Sequence, residues 1–340
     1  MTAGLVAHFY RMELPLQALA AQEETEEDFE VTFADAGDDG HPHTVTLDTL
    51  RGYDVVVAQR WNKHTGLEVW RRAAQWAKLV YELDDDVFNV TAENWQAYKL
   101  YGRPDIRDAI AHSLECADLV TVSTEPLAGV MREYNGNVAV CPNCIPGWVL
   151  GLPREQRPRP RIGWAGGASH GVDIGIAAEP VRRFLRRFPG WDFQLNGTDY
   201  RPTFRAPADR MHYVKWVQVN KDACGYYSGL DFDIGLAPVW PTTFSRAKSP
   251  VKILEYAARG IPAVATDCEA YRDVIQHGVN GFLVRDNNPH LWLSYMSGLA
   301  SDDALRAKMG EAARDMARRH LIEDGWTAWA DAYRGLFRAR

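Results

Sequence analysis

The sequence predicts an α/β protein of two Rossmann-like domains, each a parallel sheet wrapped by helices. Three observations lead there. The chain has 340 residues, too many for one ordinary core; short apolar runs alternate with helical stretches along its length; and one proline-rich break falls near the middle. In the first half GLVAHFY, VTFAD, DVVVAQ, KLVYEL, DLVTVS and VAV read as strands, mostly apolar on both faces as in a covered parallel sheet. Between them Leu67 to Ala77 and Ile106 to Cys116 have helical spacing. Strand–helix–strand repetition implies right-handed crossovers. Pro142 to Pro160 carries no periodic pattern and reads as the linker. After it RIGWA, WDFQLN, MHYVKWV, DFDIGLAP, PAVAT and FLV restart the alternation. From Asp324 onward Trp326, Trp329, Tyr333 and Leu336 recur at spacings of three, four and three, which gives a helix one aromatic face. The expected division is residues 1–155, residues 156–322 and a C-terminal helix over 323–340.

Composition bounds the function classes. With 46% hydrophobic and 24% charged residues the chain is expected to be a soluble globular protein. The start, MTAGLVAHFYRMELP, has neither the basic segment nor the long apolar run of a signal peptide. No stretch approaches the roughly 18 apolar residues of a membrane helix, so no membrane insertion is expected. Five irregularly spaced cysteines form no disulfide framework and fit a reducing, cytoplasmic compartment. Cys141 and Cys144 make a single CxxC without a second pair or nearby histidines, which reads as chance spacing rather than a metal or redox site. Residues 1–150 hold 11 Lys+Arg against 24 Asp+Glu, a charge of −13, leaving +6 for the rest. An acidic first half is a poor surface for phosphate backbones or anionic lipid, whereas the second half suits an anionic ligand.

The densest chemistry lies between Phe244 and Val284. Ser249 followed by Pro250 reads as a capping hydroxyl and a first helical proline, and Gly260 reads as the stop. A helix from Pro250 to Arg259 would offer unpaired N–H groups and partial positive charge to a phosphate, with Arg246 and Lys248 just before it. Glu255 lies about 7.5 Å further along such a helix, the step from a diphosphate to the neighbouring ribose. Equally open at this point is a plainer arrangement, with Arg246 and Lys248 solvated and Glu255 paired to Lys252 at i−3. A second element is RIGWAGGASHGVD, a strand running into a loop with Gly166, Gly167 and Gly171. Glycines there let backbone approach a ligand, and in open parallel sheets ligands bind beyond the carboxyl ends of the strands.

DFDIGLAP, SRAKSPVKILEYAARGIPAVATD, the EAYRDVI helix and HGVNGFLV follow one another within residues 213–284. In order and spacing they resemble the donor-binding half of retaining glycosyltransferases of group 1 (family 4), which have the GT-B fold. CADLVTVSTEPL resembles that family's aspartate–strand–serine element, and VAVCPNCIPGW its junction between domains. The resemblance implies two Rossmann-like domains facing across a cleft, with the C-terminal helix returning to the first. A nucleoside-diphosphate sugar would be held by the second domain and a hydroxyl acceptor by the first. By the same resemblance Glu255 would bind the ribose, and Arg246 with Lys248 the diphosphate. Transfer would proceed with retention of configuration, and neither metal nor separate cofactor is implied.

Three departures stand out. The family's Glu-x7-Glu pair places its first member at Ala247. The glycine loop carries His170 where relatives often have a lysine. KLVYEL ends in Asp84-Asp85-Asp86 where many relatives have a histidine. Asp84 or Asp85 at that strand end could orient an acceptor hydroxyl or take its proton, while helix capping would equally explain Asp85 or Asp86. His8, Arg60 and Asn62 are further candidates at the same edge, and Trp164 and Trp216 are expected in the core or a pocket wall. The sequence leaves base, sugar and acceptor open: saccharide, lipid-linked glycan, protein and modified nucleic acid all fit. A sugar-nucleotide epimerase and a non-catalytic nucleotide or glycan binder are the alternatives on the same fold.

Overall fold

A computed structural model describes residues 5–21, 29–32, 47–60, 62 and 64–338. The described chain forms two compact units. One gathers residues up to 143 together with 247–249 and those from 322 onward; the other holds residues 144–246 and 250–321.

The first unit is built on a four-stranded parallel sheet. Its strands β1 (Val55–Gln59), β2 (Lys78–Leu83), β3 (Leu119–Val122) and β4 (Val138–Val140) lie side by side in chain order. Val57 stands opposite Val80, and Val120 opposite Val138. Central β2 is buried from Leu79 to Leu83, which is why its sequence reads as a nearly unbroken apolar run. Helices α2 (His64–Ala73) and α3 (Pro104–Glu115) follow β1 and β2. Ile106, Ala109, Ile110, Ser113 and Leu114 form the buried face of α3, and proline occupies its first turn, where no N–H is missed.

The N-terminal run corrects the sequence expectation. GLVAHFY does not form a strand: Leu5–His8 is α-helical, Phe9–Glu13 makes a π-turn, and α1 (Leu14–Ala20) continues it. Met12, Leu16 and Leu19, four and three residues apart, pack in one cluster with Trp329 and Tyr333 of the C-terminal helix Ile322–Arg334. A short apolar run satisfies either period, and here tertiary packing selected the helical one. Of VTFAD, Val31 and Thr32 have no regular structure, and 33–35 lie outside the described residues.

The second unit holds six parallel strands: β5 (Arg161–Gly166), β6 (Asp192–Gly197), β7 (Met211–Lys215), β8 (Ile234–Ala237), β9 (Ala263–Thr266) and β10 (Gly281–Val284). Their order is β10-β9-β8-β5-β6-β7, so the chain winds outward from β5 in one direction and then in the other. This doubly wound pattern leaves a crevice at the carboxyl ends where the order reverses, beside β5. Helices α4 (Ala178–Arg187), α5 (Ala223–Gly229), α6 (Val251–Ala258), α7 (Pro289–Ser301) and α8 (Asp303–Ala317) accompany the sheet. α6 packs on α8, and α4 on α7.

Much of the stretch expected as a linker is folded onto this second unit. Arg259 donates to the carbonyls of Leu152 (2.7 Å) and Pro153 (2.8 Å), and Arg157 pairs with Asp233 at 2.9 Å. The chain therefore divides after Asn143 rather than after residue 155. No helix among the described residues is long and apolar enough to cross a membrane.

Candidate active site

The site is assembled around α6. Pro250, not Ser249, is its capping residue, and the helix makes no side-chain cap bond. The Ser249 hydroxyl instead accepts a hydrogen bond from Asn143 at 2.8 Å. At the other end Gly260 has φ +66°, a left-handed turn where a Cβ would stand 2.9 Å from the Arg314 guanidinium. Residues Ile253 to Ala258 are buried, Glu255 among them at 3% exposure. A carboxylate so deeply placed needs donors, and Tyr226 of α5 supplies one, its hydroxyl 2.9 Å from Glu255 Oε1. Burial, then the Glu255 charge and this hydrogen bond, hold the Tyr226 phenol well above its ordinary range, so it stays a donor. Lys252, one turn before Glu255, donates to the Ala165 carbonyl near the end of β5 and lies 5.1 Å from the Trp164 ring centroid. Tyr256 reaches the same strand, accepting from the Ala165 amide at 3.0 Å.

The glycine loop leaves β5 at Gly166. A Cβ there would fall 2.4 Å from the Trp164 ring, and one at Gly197 (φ +102°) would fall 2.3 Å from the Gly166 carbonyl. Only glycines let the ends of β5 and β6 approach so closely. Gly167 is extended and leads through the turn Ala168–His170 into a short helix, Gly171–Ile176. His170 Nδ1 is 2.8 Å from Asp173 Oδ2, whose other oxygen accepts from the Trp240 amide at 2.7 Å, so the imidazole is oriented rather than loose. Beyond the ends of β5, β6 and β7 lies a narrow cleft of about 20 Å³, lined in part by Gly166, Asn196, Gly197, Lys215, Trp216 and Tyr226. Trp216 and Tyr226 meet edge to face there, 6.4 Å between centroids.

The two expected phosphate cations sit on either side of a buried residue. Arg246 is exposed at the end of the turn Thr243–Arg246, Lys248 is half-buried, and Ala247 between them is 2% exposed in the core of the first unit. The Ala247 carbonyl accepts from Thr124 Oγ at 2.8 Å. The place of the family's first motif glutamate is thus a packing position here.

In the first unit the acidic strand end is already engaged. Arg60 Nε donates to Asp84 Oδ1 at 2.8 Å, and Nη2 contacts Asp85 Oδ2 at 2.8 Å. Burial pushes the Asp84 carboxyl up while Arg60 pulls it down. Asp84 is therefore an ion-pair partner rather than an open base; Asp85 shares the guanidinium but keeps 33% of its side chain exposed. Arg60 holds this position with φ +50°, uncommon for a residue with a side chain. Asp86 turns away onto Asn89, accepting from its side-chain amide at 2.8 Å. His8 lies on a helix, 3.4 Å from Gln59, not at a strand end. Asn62 is half-buried, Trp164 is wholly buried and Trp216 half-buried. Cys141 and Cys144 are buried and not disulfide-bonded.

The structure thus gathers Gly166, Glu255, Lys252 and Tyr226 in one unit, and the last two were not singled out from sequence. Lys252 had entered only as a charge partner of Glu255. Tyr226 is 29 residues from Glu255, with no spacing signal to join them.

A doubly wound sheet with a glycine loop, a helix N-terminus and a buried carboxylate beside a cleft is an arrangement of α/β domains that suits an anionic ligand at the strands' carboxyl ends. Residues 159–302 match the family model described as glycosyl transferases group 1. A D-inositol 3-phosphate glycosyltransferase of Xylanimonas cellulosilytica is 34% identical over 79 residues, 23% of this chain and 19% of the relative. The chain thus spans about a fifth of that relative's length. Among solved structures, the pneumococcal O-GlcNAc transferase GtfA with UDP and GlcNAc superposes with a TM-score of 0.62 at 14% identity, over 86% of this chain and 59% of that one. Anabaena HepE with UDP gives 0.62 at 16%, over 85% and 80%. A Rickettsia africae glycosyltransferase gives 0.59 at 14%, over 92% and 86%. The neighbours are glycosyltransferases of the GT-B fold, and the fold is shared.

Proposed function

We propose that the chain is a glycosyltransferase that moves a sugar from a nucleoside-diphosphate sugar to a hydroxyl acceptor, with retention of configuration and without metal. The observation that carries this is Glu255, buried on α6 and held by Tyr226, whose ring also lines the cleft. Glu255 accepts hydrogen bonds from the ribose hydroxyls. The N–H groups opening α6, with Arg246 and Lys248, neutralise the departing diphosphate. Gly166 and Gly167 let the backbone approach it, and oriented His170 offers a further donor. The second domain holds the donor and the first the acceptor, whose proton passes to a leaving phosphate oxygen or to Asp85. We place this activity in the cytoplasm. UDP, present in two of the related structures, is the first nucleotide to test.

Replacing Glu255 with alanine is expected to weaken UDP binding at least about tenfold, the worth of one or two charge-assisted hydrogen bonds. Calorimetric titration reads this directly, and unchanged affinity together with unchanged turnover would overturn the proposal. A second reading, a nucleotide binder without transferase activity, is favoured by buried Ala247 in place of a motif glutamate. Tight UDP binding with no turnover across UDP-sugars and a broad acceptor panel would select it.

A further inference from the structure

Arg11 is wholly buried at the middle of the π-turn Phe9–Glu13, a wide turn that is rare and often found at functional positions. All three of its side-chain nitrogens donate. Nε and Nη2 donate to the two oxygens of Glu82 at 2.6 and 3.1 Å, and Nη1 donates to Asn143 Oδ1 at 2.9 Å and to the Cys141 carbonyl. The plane lies over the Trp329 ring, 4.3 Å from its centroid. Because a guanidinium only donates, Asn143 must turn its oxygen toward Arg11 and its NH2 group outward. That NH2 group donates to Ser249 Oγ at 2.8 Å.

These partners are not scattered. The chain leaves the first unit after Asn143, re-enters it for residues 247–249 and returns at 322. Arg11 therefore touches the segment before the first departure, reaches Ser249 through Asn143, and packs on Trp329 after the final return. An apolar side chain could fill this volume at less desolvation cost, since buried ion pairs contribute little net stability against good packing. What an apolar residue could not do is fix the Asn143 amide and, through it, the residue that precedes the cap of α6.

We propose that Arg11 and Asn143 are positioning residues for the donor helix, holding Ser249 so that Pro250 and the first turn of α6 start in one register. The proposal rests on α6 being the donor helix only for its functional consequence; its structural core is independent of that reading. Neither residue touches substrate.

The test uses the full chain without ligand, followed by UDP. Asn143→Ala and Ser249→Ala each remove the same hydrogen bond. Either is expected to speed amide exchange over residues 247–254 about tenfold, as loss of one local hydrogen bond implies, with β5 to β10 unchanged. The double variant should be no worse than Asn143→Ala alone, which already loses this bond together with the one from Arg11. Asn143→Asp should restore the wild-type pattern, because a carboxylate still accepts from Arg11 and the Ser249 hydroxyl can reverse to donate to it. Weaker UDP binding in the alanine variants, recovered in Asn143→Asp, extends the effect to the donor. Exchange over 247–254 that stays at the wild-type rate, or rises equally throughout the first unit, overturns the proposal. If exchange changes as expected but neither these variants nor Glu255→Ala alters UDP affinity, the donor-site reading fails while the positioning of α6 stands.

Discussion

Among the described residues each unit buries one glutamate, and the two differ in what surrounds them. Glu82 of β2 is fully enclosed, fastened by Arg11 and by the Thr121 hydroxyl of β3. Glu255 of α6 is nearly as buried, but the tyrosine that holds it also forms the wall of a cleft. Burial of a carboxylate is therefore no mark of function by itself. A carboxylate walled in on every side fastens chain segments together; one whose partner borders a cleft can accept further hydrogen bonds from a ligand there.

The largest effect that would break this contrast is on stability. Replacing Glu82 with alanine strands the Arg11 guanidinium in the core and is expected to cost about 3–5 kcal/mol in urea denaturation, as removal of one partner from a buried pair does. A loss below about 1 kcal/mol would mean that Arg11 finds other compensation and that Glu82 is no fastener.

Next comes pH. Burial raises the Glu82 carboxyl from an ordinary 4.5 to about 7, with Arg11 and Thr121 opposing. The folded protein thus keeps this proton where the unfolded chain has lost it. The contribution is complete below the unfolded value, declines as pH rises, and is lost once pH passes the folded value. Its size is roughly 3 kcal/mol, because each tenfold difference in proton affinity between folded and unfolded chain is worth about 1.4 kcal/mol. Urea midpoints of wild type and Glu82→Gln across that window should diverge by this slope, and parallel profiles would show that Glu82 titrates as an ordinary carboxylate.

The smallest effect sharpens the other side of the comparison. Tyr226→Phe removes one hydroxyl from Glu255 and should weaken UDP binding about fivefold, near 1 kcal/mol. Titration calorimetry separates this from a stability change, and stronger binding would mean that Tyr226 competes with the ribose instead of preparing its acceptor.

Legibility in the sequence followed the range of the interactions. All six strands expected in the second half form, and β2 and β4 have the expected limits; a doubly covered parallel strand such as β2 advertises itself as an apolar run. The N-terminal run failed because its few apolar residues suit either period, and the choice rests on Trp329 and Tyr333 more than three hundred residues away. Glu255 was singled out by its distance from Ser249-Pro250, a local spacing, and the structure buries it. The role expected of Ser249 was not kept, since its hydroxyl is claimed by Asn143, 106 positions earlier. Asp84 looked available until the fold set Arg60 against it.

What the sequence determined by itself was the alternation of strands and helices, the glycines at the end of β5 and the carboxylate one turn into α6. These are set by side-chain period and backbone permissiveness within a few residues. Tertiary structure alone decided which charges meet. Arg11 with Glu82, Arg60 with Asp84 and Tyr226 with Glu255 are pairings between separate elements, and a charge on a linear chain carries no signal of the partner that will share its low-dielectric surroundings.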